Sequence, residues 1–153
     1  MQVPIPEIVL VGKQGSGKSA LIEAILGFPL NYISAGGSAT TTTKRPIFIS
    51  LVCANVEATK FILRRDLTVE GADRDIDVEL KDLPQHLEKR LAKSSAQPIY
   101  LQIESKNCIN FTLIDSPGLE QGQQQADAAA DSNSSENEQL ILSLVRPAHR
   151  HIM

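Results

Sequence analysis

The residues most suited to chemistry form a glycine-rich octapeptide near the N-terminus. Residues 12–19 read Gly-Lys-Gln-Gly-Ser-Gly-Lys-Ser and fit the phosphate-binding pattern G-x-x-x-x-G-K-[ST] at every fixed position. Glycines let such a loop wrap closely around a polyphosphate, so that main-chain N–H groups point at its oxygens. The Lys18 ammonium would then bridge the β- and γ-phosphates, and the Ser19 hydroxyl would complete a Mg²⁺ shell. The loop therefore predicts a site for a nucleoside triphosphate with Mg²⁺.

A second motif, Asp-Ser-Pro-Gly at residues 115–118, follows the apolar run 111–114, which reads as a strand. In nucleotide-dependent switch proteins, the aspartate of a D-x-x-G reaches Mg²⁺, usually through water, and the glycine N–H contacts the γ-phosphate. Taken alone, the tetrapeptide is equally compatible with a simple turn. Because a strand precedes it and the chain also has a phosphate-binding loop, we favour the functional interpretation for Asp115 and Gly118.

A run of four threonines, Thr40 to Thr43, lies in a loop between the two motifs. A threonine hydroxyl in such a loop can sense Mg²⁺ and the γ-phosphate. Threonines in loops are also commonly just solvated, and composition alone does not choose among the four residues. The three features together favour the guanine-nucleotide branch of phosphate-loop proteins.

The elements that would position these residues follow from hydrophobic patterning. A β-branched run, Glu7 to Val11, predicts a buried first strand, and the apolar face of Ser19 to Leu26 predicts a helix directly after the loop. Further elements are predicted as strands at 46–53, 58–65, 98–104 and 108–114, the last two as a hairpin, and as helices at 80–91 and 136–145. Residues 120–138 carry five carboxylates and no lysine or arginine, which predicts a disordered insert.

Composition and the absence of a targeting segment predict a soluble, intracellular, globular protein. Its 153 residues suit one domain, with 42 % hydrophobic and 22 % charged residues. A net charge of −3 gives no general attraction to nucleic acid, so no nucleic-acid partner is predicted. Cys53 and Cys108 read as buried thiols rather than a disulfide. Neither an apolar run of 18 residues nor a signal or transit peptide is evident.

Several segments together resemble the GTPase domain of the dynamin superfamily. Residues 6–14 and 17–27 look like its opening, and that family carries a glutamine at the position of Gln14. Residues 43–46, Thr-Lys-Arg-Pro, resemble its T-R-R-P switch I segment, which assigns the Mg²⁺ threonine to Thr43. Residues 115–118 are similar to its switch II. Residues 27–31 and the glycines after them look closest to the dynamin-related proteins of plastid division.

The resemblance implies a P-loop NTPase fold of the dynamin type, a three-layer α/β sandwich. Residues 1–153 would form its N-terminal portion, with the phosphate loop at 12–19, switch I at about 34–46 and switch II at 115–118. GTP would be hydrolysed without a covalent intermediate, and Gln14 would orient the attacking water. Lys18 and Thr43 would also be catalytic. The metal residues would be Ser19, Thr43 and Asp115. The nucleotide-binding positions would be Gly12, Lys13, Gln14, Gly15, Ser16, Gly17, Lys18, Ser19, Ala20, Asp115 and Gly118.

The resemblance also implies partners and a cellular role. Members of this family self-associate through their GTPase domains, which completes charge stabilisation, and they constrict and cut membranes. Here the membrane would be bound through regions outside these 153 residues. The expected location is cytoplasmic and peripheral, at a plastid, mitochondrion or peroxisome, and microtubule binding is compatible with the family.

Three departures from the family pattern leave alternatives open. Gly15 stands where dynamins usually have a serine or threonine that helps bind a monovalent cation, and residues 120–138 lack the basic residues expected after switch II. No [TN]-K-x-D guanine-specificity motif occurs. We therefore expect a fold truncated before its later strands, with weak nucleotide binding and marginal stability. The alternatives are a P-loop ATPase and a truncated, catalytically impaired nucleotide-binding interaction module.

Overall fold

The computed structural model describes residues 5–13, 15–30, 45–93, 95–119 and 130–153, with the backbone only over 130–136. Its elements alternate between strands and helices, as expected for an α/β protein. In chain order they are β1 (Glu7–Leu10), α1 (Lys18–Leu26), β2 (Ile47–Cys53), β3 (Lys60–Leu63), β4 (Ile76–Val78), α2 (Leu83–Leu91), β5 (Ile99–Ser105), β6 (Phe111–Asp115), α3 (Ala130–Val145) and β7 (Arg150–Ile152).

The seven strands form one mixed sheet in the order β4-β3-β5-β2-β6-β1-β7. β1 runs parallel to β6, and β2 runs antiparallel to β6. The carboxyl ends of β1 and β6 and the amino end of β2 therefore lie at the same edge of the sheet. The register shows this directly, because Asp115 pairs with Leu10 on one side and with Ile47 on the other. The loop after β1 and the motif after β6 thus begin next to each other.

Side-chain alternation along the strands builds two cores, one on each face of the sheet. In β2, Ile47, Ile49 and Leu51 face one core, and Phe48 faces the other. The first core is closed by Ile22 of α1 and by Leu83 and Leu87 of α2, and these three side chains are fully buried. On the opposite face, Leu144 of α3 packs with Val9, Phe48 and Ile114. The expected three-layer α/β sandwich is confirmed.

The structure departs from the predicted elements in its strand pairing. The predicted hairpin between the strands at 98–104 and 108–114 is wrong, because β2 lies between β5 and β6 and pairs with both. Strand β4 lies in the charged stretch 66–82, which the sequence predicts to be irregular, and it pairs with β3 over only three residues. Helix α2 begins at Leu83 with a proline in its first turn, so it is shorter than the predicted helix over 80–91.

The region predicted to be a disordered insert divides into two parts. Residues 120–129 lie outside the described residues, whereas residues 130–138 belong to helix α3. After α3 the chain returns along β1 as the short strand β7, at one edge of the sheet. Within the described ranges, no helix has both the length and the apolar character required to cross a membrane.

Candidate nucleotide site

The glycine-rich loop connects the end of β1 to the start of α1 and takes a backbone path that requires its glycines. Gly15 and Gly17 have φ values of 74° and 85°, in the left-handed region that side chains with a Cβ rarely adopt. Gly17 caps the N-terminus of α1. At Gly12 the constraint is steric, because an added Cβ would lie 2.8 Å from Ser16 Oγ. The tight loop that the motif predicts is therefore present.

Lys18, the first residue of α1, turns its side chain back over this loop. Its Nζ donates hydrogen bonds to the carbonyl oxygens of Gly12 at 3.0 Å and Lys13 at 2.9 Å. Burial lowers the pKa of Lys18, and the negative charge of Asp115 partly opposes that shift. The ammonium is thus held above the loop in a partly dehydrated position, where an anionic ligand would gain more from its charge than in bulk water.

Ser19 and Asp115 meet where the helix begins and β6 ends. The Ser19 hydroxyl donates a 2.8 Å hydrogen bond to Asp115 Oδ2, although 96 residues separate the two in the chain. Ser19 is 8 % exposed and Asp115 is 0 % exposed. A hydroxyl and a carboxylate are hard oxygen ligands of the kind that Mg²⁺ prefers. The donor set therefore fits a Mg²⁺ ion at this position.

The segment after Asp115 is fixed against the loop by hydrogen bonds. The Ser116 hydroxyl donates to Leu10 O at 2.6 Å, and the Leu119 N–H donates to Gly12 O at 3.0 Å. Lys13 and Leu119 also form a parallel β-bridge. Ser116 is fully buried, and motif reasoning missed it because the second position of D-x-x-G is unspecified. These contacts hold the two motifs in one arrangement.

The N-terminus of α1 adds to the positive character of the site. Its first turn contains no acidic residue, so no side chain of the helix offsets the partial positive charge of the exposed N–H groups. Such a helix end favours phosphate oxygens. The structure therefore brings together, at the sheet edge reached by β1 and β6, the predicted residues Gly12, Lys13, Gly15, Ser16, Gly17, Lys18, Ser19, Ala20, Asp115 and Gly118. Gln14 and Thr43 lie outside the described residues.

Comparison with known sequences identifies relatives over nearly the whole chain. The sequence matches the family model described as "Dynamin family" over residues 8–152. It is 38 % identical over 159 residues to Dynamin-like protein A of Dictyostelium discoideum, an alignment that covers 97 % of this chain and 17 % of the relative. It is 35 % identical over 126 residues to Dynamin-like protein ARC5 of Arabidopsis thaliana, covering 74 % of this chain and 15 % of the relative. The chain thus spans less than a fifth of the length of these relatives.

Comparison with solved structures supports the same fold. The chain is similar to a chain from a structure described as an oligomerised bacterial dynamin pair that provides a mechanism for the long-range sensing and tethering of membranes. The TM-score is 0.50 at 19 % sequence identity, and the match covers 92 % of this chain and 24 % of the other. At this level of identity the likeness concerns the fold alone.

Proposed function

Because the chain belongs to the dynamin family, whose members are GTPases, we propose that its loop-and-helix site binds Mg²⁺·GTP and contributes to GTP hydrolysis. The observation that carries the proposal is the buried contact between Ser19 and Asp115. A carboxylate loses its hydration when it is buried, which costs free energy. A glycine-rich turn that binds no ligand does not need a buried carboxylate at its edge. Its position beside the lysine and the helix N-terminus suits a metal-bound polyphosphate.

Each described residue has a defined role in this proposal. The loop N–H groups, the N-terminus of α1 and the Lys18 ammonium bind and orient the phosphates. Ser19 and Asp115 would hold Mg²⁺, and the ion would supply positive charge to neutralise the phosphates. Ser116 fixes the strand end that carries Asp115, through its hydrogen bond to Leu10 O. Catalysis of this kind depends on positioning and electrostatic stabilisation, without a covalent intermediate.

Two further roles rest on sequence alone. We propose that Gln14 orients the attacking water and that Thr43 provides a second hydroxyl for Mg²⁺. Thr43 precedes β2 by four residues, and the amino end of β2 lies at the sheet edge of the site, since Ile47 pairs with Asp115. The chain direction is therefore consistent with a role for this threonine close to the metal.

The cellular part of the proposal follows from family membership. We propose that the protein to which this chain corresponds self-associates through its GTPase domains, acts peripherally at an organelle membrane from the cytoplasm, and assists membrane fission or division. A plastid is favoured by the resemblance of residues 27–31. Membrane contact is assigned to regions outside these 153 residues.

The test is equilibrium binding of fluorescent GTP and ATP analogues, in Mg²⁺ and in EDTA, followed by phosphate release. Lys18→Ala is the loss-of-site variant, and Lys81→Ala is the matched control, because Lys81 is exposed on the surface, where it pairs with exposed Glu79. We expect Mg²⁺-dependent, GTP-selective binding that Lys18→Ala abolishes and Lys81→Ala retains. ATP-selective binding would support a P-loop ATPase, equal binding of both analogues would mean that these 153 residues do not select the base, and binding without phosphate release would support a non-catalytic interaction module. Absence of binding by the wild-type chain would contradict the proposal.

A further inference from the structure

A buried cluster of charged side chains lies outside the nucleotide site and is centred on Arg45, whose side chain is fully buried. From Nη1, Arg45 donates to Asp66 Oδ2 at 2.9 Å, to Thr68 Oγ1 at 3.0 Å and to Arg90 O at 2.9 Å. From Nε it donates to Gln97 O at 2.9 Å. Asp66 and Arg90 are also buried, with exposures of 6 % and 2 %. We call these three charged residues the Arg45 cluster.

The Arg45 cluster joins four segments that are distant in sequence. Arg45 lies two residues before the start of β2, and Asp66 and Thr68 lie between β3 and β4. Arg90 is in the last turn of α2, and Gln97 precedes β5. One guanidinium therefore holds the amino end of β2 against the β3–β4 connection, the end of α2 and the start of β5.

Stability alone does not account for this cluster. It contains two guanidinium groups but one carboxylate. The Nη2 atoms of both Arg45 and Arg90 are buried, and neither has a hydrogen-bond partner among the residues that the structure describes. Buried donors left unsatisfied are destabilising, and well-packed apolar residues commonly replace buried ion pairs without loss of stability. Burial alone would raise the pKa of Asp66, but hydrogen bonds from Thr68 and Arg45 outweigh it and keep that pKa below its ordinary value. The carboxylate is therefore ionised and holds Arg45 by a charge-assisted bond.

The amino end of β2, which Arg45 holds, lies beside Asp115, one of the proposed metal residues. Two residues after Arg45, Ile47 pairs with Asp115 in the antiparallel register of β2 and β6. A displacement of Arg45 would therefore move the strand end that borders Asp115.

We propose that Asp66 is a positioning residue for the Mg²⁺ site, acting by holding Arg45 and thus the amino end of β2 beside Asp115. This inference rests on the proposed function. It assigns a role to the β3–β4 connection, which contributes none of the residues proposed to contact nucleotide or metal.

The test separates metal-dependent from metal-independent nucleotide binding in the 153-residue chain. Asp66→Asn keeps the shape of the side chain but removes its charge. We expect the Mg²⁺ concentration for half-maximal enhancement of fluorescent GTP-analogue binding to rise about tenfold, the lower end of the range for residues that orient metal ligands. Affinity in EDTA should stay at the wild-type value. Asp75→Asn is the matched control, because Asp75 lies in the same connection but pairs with half-exposed Arg64.

A second variant, Thr68→Val, keeps the inference testable if Asp66→Asn does not fold. It removes the hydroxyl that donates to Asp66 Oδ1 at 2.6 Å and accepts from Arg45. It should shift the Mg²⁺ half-saturation in the same direction, by less. A lowered melting temperature with unchanged Mg²⁺ half-saturation, in whichever of the two variants folds, would show a structural role only and overturn the inference. If the wild-type chain shows no Mg²⁺-dependent binding, the proposed function itself fails, and the inference fails with it.

Discussion

Ser19→Ala removes a single hydroxyl that hydrogen-bonds to Asp115 and that we propose as a Mg²⁺ ligand. The hydroxyl donates a 2.8 Å bond to a carboxylate that is 0 % exposed. A hydrogen bond to a charged group contributes about 1.5–3 kcal/mol, and the better helix propensity of alanine returns at most about 0.5 kcal/mol. The expected net loss is about 1–2.5 kcal/mol. For a chain of this size that corresponds to a melting temperature lower by about 2–10 °C.

The assay for Ser19→Ala has two parts. Thermal unfolding followed by circular dichroism in EDTA measures the stability loss without metal or nucleotide. A Mg²⁺ titration of fluorescent GTP-analogue binding measures the metal role. In Mg²⁺, the affinity of Ser19→Ala for the analogue should fall to the value measured in EDTA. Ser143→Ala is the matched control, because this exposed serine in α3 donates its hydrogen bond to Leu140 O, within its own helix.

The two readouts refute different parts of the reasoning. Wild-type stability in Ser19→Ala would show that the buried hydrogen bond to Asp115 contributes nothing. A lowered melting temperature with wild-type Mg²⁺ dependence would show that the hydroxyl is structural and that the metal assignment is wrong. Both properties must change together for the account to stand.

Three further predictions concern the loop, the core and the lysine. Gly17→Ala and Gly71→Ala both place a Cβ at a φ near +80°, so each should lower the free energy of unfolding in urea by about 1–2 kcal/mol. Only Gly17→Ala should weaken nucleotide binding. Equal nucleotide affinity of the two variants would contradict the assigned site. Leu87→Ala should lower the free energy of unfolding by about 2–5 kcal/mol, because Leu87 of α2 is fully buried. Gln85→Ala, at an exposed position of the same helix, should change the free energy of unfolding by no more than about 0.5 kcal/mol in the same experiment. Because burial lowers the pKa of Lys18, this side chain loses its charge at a lower pH than an ordinary lysine does. As the pH rises, the nucleotide affinity of the wild type should therefore begin to fall at a lower pH than the affinity of Lys18→Arg. Parallel pH profiles of the two proteins would count against a role for the lysine charge.

The folded-state pKa of Lys18 also fixes the sign of a stability effect. In the unfolded chain, Lys18 has the ordinary lysine pKa. At pH values between the lowered pKa of the folded chain and this ordinary pKa, the unfolded chain therefore binds more protons than the folded chain. Stability therefore rises with pH through that window, as the dehydrated charge is released. Nucleotide affinity changes in the opposite direction over the same window, which distinguishes loss of the lysine charge from alkaline unfolding.

The local part of the site could be predicted because its chemistry constrains residue type and spacing together. The loop geometry of Gly15 and Gly17 and the placement of Lys18 follow from the octapeptide, and strand patterning placed Asp115 at a strand end. The contacts that join the two motifs could not be predicted in the same way. The bond from Leu119 to Gly12 O depends on which strands are neighbours in the sheet, and that information is not local.

Strand pairing shows the same limit in the fold. Alternation along β2 and β5 indicates which side chains face a core, but it does not identify the neighbouring strand. The short stretch between the strands at 98–104 and 108–114 favoured a hairpin, yet β2 is apolar on both faces and fits between β5 and β6. Central strands of α/β sheets are recognised by such two-sided burial, and here that signal outweighs short-loop connectivity.

The Arg45 cluster was invisible in the sequence for a different reason. Arginine and aspartate are rarely buried, so composition predicts Asp66 and Arg90 at the surface. In the sequence, Arg45 stands out only as part of a segment that resembles switch I. Its burial results from four segments converging around one guanidinium, a property that exists only in the folded chain.

The most direct test of the central claim is to locate a bound metal–nucleotide complex on the chain. In amide NMR spectra of the 153-residue chain, addition of a non-hydrolysable GTP analogue with paramagnetic Mn²⁺ in place of Mg²⁺ should broaden resonances near the ion. The account predicts the strongest broadening at Gly17, Ser19 and Asp115, decreasing along the sheet toward β4 at its far edge. Broadening centred elsewhere, or none at saturating nucleotide, would contradict the assignment of this sheet edge as the nucleotide site.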